Sequence, residues 1–330
     1  MDRMSLTRSR PEELGMALYL SRRIGAMLAT LVVASFVVYG ALYLSPGDPI
    51  DLLVNSTTAT PELIASVRAQ FGLDKPFFVS YIDWLFGVFQ GDFGTSLRFR
   101  QDVGSLIASR MPTTILLVVM AGVLTVLIGV SLGVLSGLKP GRVDRTVLNA
   151  TSVVSSLPVF VTAFAFLFIF GVGLRWFPVS GGGEGFLDRI YHVTLPSITL
   201  ALALCTIIVR ITRASIKAQH GGEHVSVAMG RGVSGFTLYG RHVFRNALTP
   251  ILTQCGIVVA GLMVSSQIVE VTFGLDGVGS LMIQSVQSMD FPVVQAITLL
   301  IVFAYVMTNL IIDLLLPVVD PRISLKGSAR

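Results

Sequence analysis

Residues 223–250 read EHVSVAMGRGVSGFTLYGRHVFRNALTP. They lie between VTLPSITLALALCTIIV (193–209) and ILTQCGIVVAGLMVSSQIV (251–269), two runs apolar enough to cross a bilayer. The stretch itself is not. It carries Arg231, Arg241 and Arg245, and each cation at the centre of a membrane helix costs about 2.5–3.5 kcal/mol on the insertion scale. Upstream, RITRASIKAQHGGEHVSVAMG (210–230) keeps apolar or small residues at helical spacing: Ile211, Ala214, Ser215, Ala218, Val225, Ala228 and Met229. A helix is therefore expected to leave the membrane, break at Gly221–Gly222 and resume as a short element. Gly230 and Gly232 should end that element, because glycine accepts the left-handed conformation found at helix C-termini. Ser234 is placed to cap a second short helix, running through Tyr239 and Val243 toward Asn246 and Pro250. A solvated loop has no need of Val225, Val227, Met229, Val233, Phe236 and Leu238. Apolar groups exposed on such a loop mark a docking surface.

The rest of the chain gives this interruption its setting. Of 330 residues, 53% are hydrophobic and 13% charged, against roughly a quarter charged in an ordinary soluble domain. Six segments reach the roughly 20 apolar residues that a membrane helix needs, at about 24–44, 114–138, 150–174, 193–212, 250–271 and 293–317. The first follows Arg22 and Arg23 but is longer than a signal-peptide core and precedes no small-x-small cleavage site, so it is read as a retained helix. The net charge of +5 reflects basic residues between the apolar runs, where they set topology, and calls for no nucleic acid. Arg3, Arg8, Arg10, Arg22 and Arg23 precede the first span, and Lys139, Arg142 and Arg145 follow the second. Arg210, Arg213, Lys217, Arg231, Arg241 and Arg245 stand against one acid, Glu223, and the tail adds Arg322, Lys326 and Arg330. GLDGVGSLMIQSVQSMDFP (274–292), between the last two spans, has acids and no Lys or Arg. Basic excess marks the cytoplasmic side, so both termini and residues 223–250 are expected inside.

Residues 45–112 form the long segment on the opposite side. SPGDP (45–49) is turn chemistry. TPELIASVRAQFG (60–72) offers Thr60 as N-cap, Pro61 at the first helical position and Gly72 as terminator. FFVSYIDWLFGVFQGDFG (77–94) is an aromatic amphipathic stretch that either lies along the outer membrane surface or packs against the spans. The division expected is a basic cytoplasmic extension (1–23), a first transmembrane helix (24–44), an extracytoplasmic region (45–112), a core (113–318) with a cytoplasmic loop at about 213–249, and a tail (319–330).

Catalysis finds little support. No phosphate-binding G-x-x-x-x-G-K-[ST], H-E-x-x-H or G-x-S-x-G is present. SGGGEG (180–185) lacks the strand and helix of a nucleotide fingerprint. Cys205 and Cys255 each sit in an apolar run, which argues against a disulfide framework or metal cluster, and His192, His220, His224 and His242 show no ligand spacing. Arg210, Glu270 and Asp313 are the charges near span ends. An ion-coupled carrier needs ionisable groups along its pathway, so Glu270 and Asp313 are the residues to test for that class.

With Glu223, Ala228 and Gly232 in place, 223–250 resembles the cytoplasmic EAA loop of binding-protein-dependent ABC importer permeases, in its dipeptide/oligopeptide/nickel form. Arg231 takes the place of a Lys, and RHVFRNALTP (241–250) is close to the family form. His224 stands where that form has Tyr, Ser226 where it has Arg, Met229–Gly230 where it has Arg–Ala, and Gly235–Phe236 in place of a polar pair. LSPGDP, FGLDKPFFVSYIDWL, GDFGTSLRFRQDV and RMPTT resemble the extended outer region of the B-type subunit. SLPVFVTAFAFLFIFGV, RWFPVSG and LPSITLAL resemble the third and fourth spans, and 268–300 and 309–323 the end of the domain. The resemblance extends over nearly the whole chain, and the first twenty residues do not match.

The resemblance implies an all-α membrane protein with six transmembrane helices, the type I ABC importer transmembrane domain, in the bacterial plasma (inner) membrane. It implies a second homologous permease, two cytoplasmic ATPase subunits or domains and an extracytoplasmic solute-binding protein. No catalytic residue, cofactor or metal is expected in this chain, and ATP and Mg belong to the ATPases. Coupling to them is expected through Glu223, Val225, Ala228, Met229, Arg231, Gly232, Phe236 and Arg241. Glu223 would anchor the loop by ion pairing, Ala228 and Gly232 would permit close backbone approach, and Arg231 and Arg241 would meet partner acids or fix the loop. The expected substrate is a short peptide, with nickel chelates or glutathione as alternatives. An ATPase-independent secondary transporter or channel is the second reading, and a membrane-embedded enzyme the third.

Overall fold

Proline, glycine and charge divide the apolar chain into helices. The computed structural model describes residues 10–44, 60–62, 65, 68 and 74–319. Residues 1–9, SPGDP, Gly72 and the tail after 319, for which the sequence also raises expectations, lie outside these. Helix α1 (Arg10–Leu44) carries the first span and begins within the basic extension. At the next expected helix, Thr60 is non-helical while Pro61 and Glu62 are helical. Helix α2 (Phe77–Gln90) follows Pro76, and Gly91, at φ +84°, ends it in the left-handed conformation. Helix α3 (Val103–Leu138) starts eleven residues before the expected second span, because Asp102 caps it by accepting from the Ser105 N–H at 2.7 Å.

The third span is where expectation and structure part. Instead of one helix over 150–174, α4 (Arg142–Ser156) and α5 (Val159–Phe166), continued by a π-helical turn at Leu167–Gly173, meet at 97°. The reason is Pro158. Its ring disfavours the helical region for the preceding residue, and Leu157 is extended at φ −89°, ψ 133°. Among the described residues, five helices are long and apolar enough to cross a membrane, and six if this bent pair is one span. Helix α6 (Phe186–His220) carries the fourth span. Short α7 (Glu223–Gly230) and α8 (Gly235–Thr237) follow, then a π-helical turn (Leu238–Phe244) leading into α9 (Arg245–Thr272). Helices α10 (Val278–Gln287) and α11 (Phe291–Val319) complete the described chain.

Helices α3 and α6 form the spine. Gly129, Gly133 and Gly137, spaced by four, lie along the face of α3 that meets α6. A methyl group on Gly133 would come within 2.5 Å of Thr212 Cβ, and on Gly129 or Gly137 within 2.7 Å of Ile208 or Ile216. Small residues at this spacing let two membrane helices touch backbone to backbone, and dispersion across the contact replaces the hydrophobic drive that lipid does not supply. Around the spine, Leu117, Leu200, Leu262, Val269 and Phe273 fill one apolar cluster, and Ile208, Ile216, Val225, Leu238, Val243 and Ile251 another.

At the end away from the 223–250 loop, α2 packs its aromatic face on α1. Phe36 meets Phe77 and Tyr81 edge to face at 5.6 and 5.4 Å, and the Ser35 and Tyr81 hydroxyls share a 2.8 Å hydrogen bond. Phe78, Ile82, Phe86 and Phe89 on the opposite face are exposed. Packing against the spans, one of the two expectations for this stretch, is thus met by the face that meets α1. Residues 94–102 fold as a turn pinned by buried Asp290, which accepts from the Ser96 hydroxyl at 2.5 Å and from the Leu97 and Arg98 N–H groups.

Candidate functional site

The 223–250 stretch is a helix–break–helix bent back on its own spans. Helix α6 ends at His220, and Gly221–Gly222 turns the chain. The Gly222 carbonyl then accepts from the Val225 and Ser226 N–H groups to start α7. Glu223 in the first turn complements the positive end of that helix. At the other end the Val233 N–H reaches back to the Ala228 carbonyl at 3.0 Å and the Gly232 N–H to Met229 at 2.9 Å, with Gly232 at φ +80°. Ser234 occupies the N-cap position of α8 in extended conformation, but its side chain makes no capping bond. The second helix is not short: from Gly235 it runs without a break into the fifth span, ending at Thr272.

The loop has two sides. On the underside, Val225 and Ala228 are buried against Ile216, Leu238, Val243 and Ala247. The His224 ring meets the His242 carbonyl at 3.1 Å, and the His220 and Tyr239 rings stack at 5.7 Å. Val225, Ala228 and Leu238 therefore serve intramolecular packing. The outer side carries Val227, Met229 and Phe236, the last 93% exposed. Glu223, Arg231, Gly232 and Arg241 are also exposed, and none of the three charged ones pairs with a described residue. The ion pair expected of Glu223 is thus not made within the described chain. Of the positions where the stretch departs from the family form, Ser226, Met229, Gly230, Gly235 and Phe236 lie on the exposed side, whereas His224 turns its ring to the His242 carbonyl beneath.

A second cluster, which the sequence reading missed, braces the base of the loop. Asp144, in the first turn of α4 and ahead of the apolar part of that span, is buried. It accepts from Arg213 Nη2 at 2.7 Å and Lys217 Nζ at 2.8 Å on α6, and from the Ser136 hydroxyl on α3 at 2.5 Å. The Arg213 guanidinium first, then Lys217 and Ser136, hold its carboxyl far below the usual carboxylate range. Three helices are thereby tied where the loop leaves the membrane.

The residues named as tests of ion coupling have structural partners. Buried Glu270 accepts from the Thr114 hydroxyl at 2.8 Å and the Ser280 N–H at 2.9 Å, so it closes the N-terminus of α10 onto α3. Asp313 pairs with Arg23 at 2.8 Å, and Arg210 donates to Ser152 Oγ at 3.1 Å. Among the described residues, no three of His, Cys, Asp and Glu gather as metal ligands would.

Comparison with known proteins gives this geometry its relatives. The profile described as "Binding-protein-dependent transport system inner membrane component" matches residues 129–325, and its N-terminal companion matches 16–118. The chain is 33% identical over 312 residues to the "Probable peptide ABC transporter permease protein y4tP" of Sinorhizobium fredii, covering 93% of this chain and 99% of that one. It is 33% identical over 309 residues to the glutathione transport system permease protein GsiC of Salmonella typhimurium, again covering 93% and 99%. Among solved structures, an inward-facing MetNI methionine ABC transporter superposes with a TM-score of 0.53 over 65% of this chain and 96% of its own, at 16% identity. That likeness speaks to the fold alone.

Proposed function

The chain belongs to the inner-membrane components of binding-protein-dependent transport systems, and from that premise we propose that it is the B-type permease of an importer for short peptides, driven through the outer side of its 223–250 loop. A type I permease subunit of an ABC importer leaves ATP hydrolysis to a separate subunit. In our reading this chain pairs with a second homologous permease, two ATPases sit on the cytoplasmic side with ATP and Mg, and a solute-binding protein delivers the substrate from outside. Both termini lie in the cytoplasm.

One observation carries the coupling role. The loop is fastened beneath by Val225, Ala228 and the His224–His242 contact, yet it presents Phe236, Met229 and Val227 outward beside Arg231 and Arg241. An apolar patch rimmed by cations suits a groove with apolar walls and acidic edges on an ATPase. Glu223 is free to meet a partner cation there, and Gly230 and Gly232 lower the profile between Met229 and Phe236. A ligand moves a conformational equilibrium only by binding the two states differently. ATP would do so by closing the ATPases, and the loop would carry that movement to α6, whose 35 residues span about 50 Å at 1.5 Å each. The contact of α6 with α3 and the Asp144 node make the motion that of a body rather than of one helix.

Peptide is the substrate class favoured by the relatives' names. Glutathione is itself a small peptide, and nickel chelates remain the alternative cargo. A secondary transporter is disfavoured because Glu270 and Asp313 are already engaged with structural partners. The test is uptake into vesicles bearing the reconstituted complex. Uptake of a peptide held by the binding protein should require ATP on the loop side and no ion gradient. Uptake driven by a gradient without ATP would overturn the reading.

A further inference from the structure

A cavity of about 1200 Å³ opens between α1, α2, α3 and α11, away from the 223–250 loop. It exceeds the roughly 300–1,000 Å³ of ordinary small-ligand pockets. Its walls come from stretches within three of the candidate spans: Met27–Ser35 on α1, Ile107–Val119 on α3 and Ala296–Phe303 on α11. It therefore lies at hydrocarbon depth. Leu28, Val32, Ile115 and Val119 line it and are each about half exposed, so it opens sideways toward the bilayer. Phe89 belongs both to this lining and to the exposed stripe of α2, which roofs the opening. The hydroxyl in the wall, Ser35, is already bonded to the Val32 carbonyl and to Tyr81. No unmet hydrogen bond therefore invites a polar ligand inside.

One lining residue is ionisable. Arg189 lies four residues into α6, where that span begins, and is exposed without an ion pair to any described residue. A long apolar groove with a single guanidinium at its mouth, near the membrane–water boundary, is complementary to one kind of molecule: an amphiphile with an extended hydrocarbon tail and an anionic head. We propose that this groove is a phospholipid site, with acyl chain between α1 and α3 and the phosphate paired bidentately with Arg189. The lipid would seat α1, whose side chains from residue 21 to 41 are otherwise mostly exposed, against the body of the protein. This proposal rests on the chain's crossing a membrane, not on what it transports.

The test is native mass spectrometry of the complete transporter complex, delipidated and then titrated with phosphatidylglycerol and with a diacylglycerol of the same chains. One phospholipid per copy of this chain should survive detergent exchange, and phosphatidylglycerol should be preferred by about tenfold, the scale of one charge-assisted contact. Ala108→Trp, which fills the groove from an exposed wall position, should abolish retention. Arg189→Gln should keep chain binding and erase the head-group preference. Equal retention by Ala108→Trp and the unaltered complex would show only surrounding bilayer lipid and overturn the site. So would an unaltered complex that retains no phospholipid, and a cross-link from Ala108→Cys to the partner permease would then show that a protein helix occupies the groove. Should Ala108→Trp fail to assemble, Arg189→Gln decides, and an undiminished preference for phosphatidylglycerol refutes the proposal.

Discussion

Phe236 stands almost wholly in solvent, while Val225 and Leu238 of the same loop are buried. Folding of this chain gains little from its ring, so replacing it separates binding from stability. Phe236→Ala should leave the thermal midpoint of the assembled chain unchanged, as surface substitutions generally shift stability by less than about 0.5 kcal/mol. ATP-driven uptake should nonetheless fall at least about tenfold, since a buried aromatic anchor at an interface contributes roughly 2 kcal/mol or more. Gly230 and Gly232 answer a related question. Added methyl groups would meet nothing within 4 Å at either, but only Gly232 has positive φ. Gly230→Leu should therefore be tolerated by the fold and still impair ATPase docking, measured by co-purification, whereas Gly232→Leu should impair both. Asp144 behaves in the opposite way. Asp144→Asn leaves the partly exposed Arg213 and Lys217 without their anion, and losing hydrogen bonds to a charged group costs about 1.5–3 kcal/mol. Because the folded carboxyl titrates below its unfolded value of about 3.9, its contribution is present above that value and is lost only as pH falls through the lower folded one. The difference in midpoint between Asp144→Asn and the unaltered protein should thus stay constant from about pH 5 to 8.

Among elements, the contact of α3 with α6 sets what moves with the loop. Gly133→Ala would drive a methyl group into Thr212, and such overpacking costs about 1–3 kcal/mol. Gly25→Ala in α1, where nothing lies within 4 Å, is the matched control. A scanning thermal assay in detergent should show a lowered midpoint for the first and none for the second. At this scale the sequence was legible in part. Five spans declared themselves through the length of their apolar runs, and Gly221, Gly222 and Gly232 marked the turns of the loop because their conformational role is local. The bend at Leu157–Pro158 was readable in principle from the residue before proline, but the apolar run over it was continuous and hid it. Helix α10 is ten residues long, too short to separate by periodicity from the loop around it. The Asp144 cluster could not be read, since its two cationic partners lie 69 and 73 residues along the chain. Nor could helical spacing tell that Val225 and Ala228 pack inward while Met229 and Phe236 face out, because an apolar residue on a loop reads alike whether its neighbour is its own chain or another.

For the molecule as a whole, membership of the importer family and the division of the loop into an inner and an outer side lead to one mechanical picture. The underside packs the loop on α6 and α9 and the Asp144 node ties α4 and α3 to the same base, so in the proposed coupling the glycine contact would pass the displacement along α3. The far end is closed separately, by Glu270 of α9 bound to the N-terminus of α10 and by Asp290 bound to the 94–102 turn, so the two ends of the bundle are each internally braced. Coupling, in this picture, depends on the outer side of the loop. The direct measurement is ATP-dependent peptide uptake by the reconstituted complex carrying Met229→Asp and Phe236→Asp together, with assembly of this chain checked in the same membranes. Normal insertion with uptake lost is expected. Undiminished uptake from the doubly charged loop would contradict it.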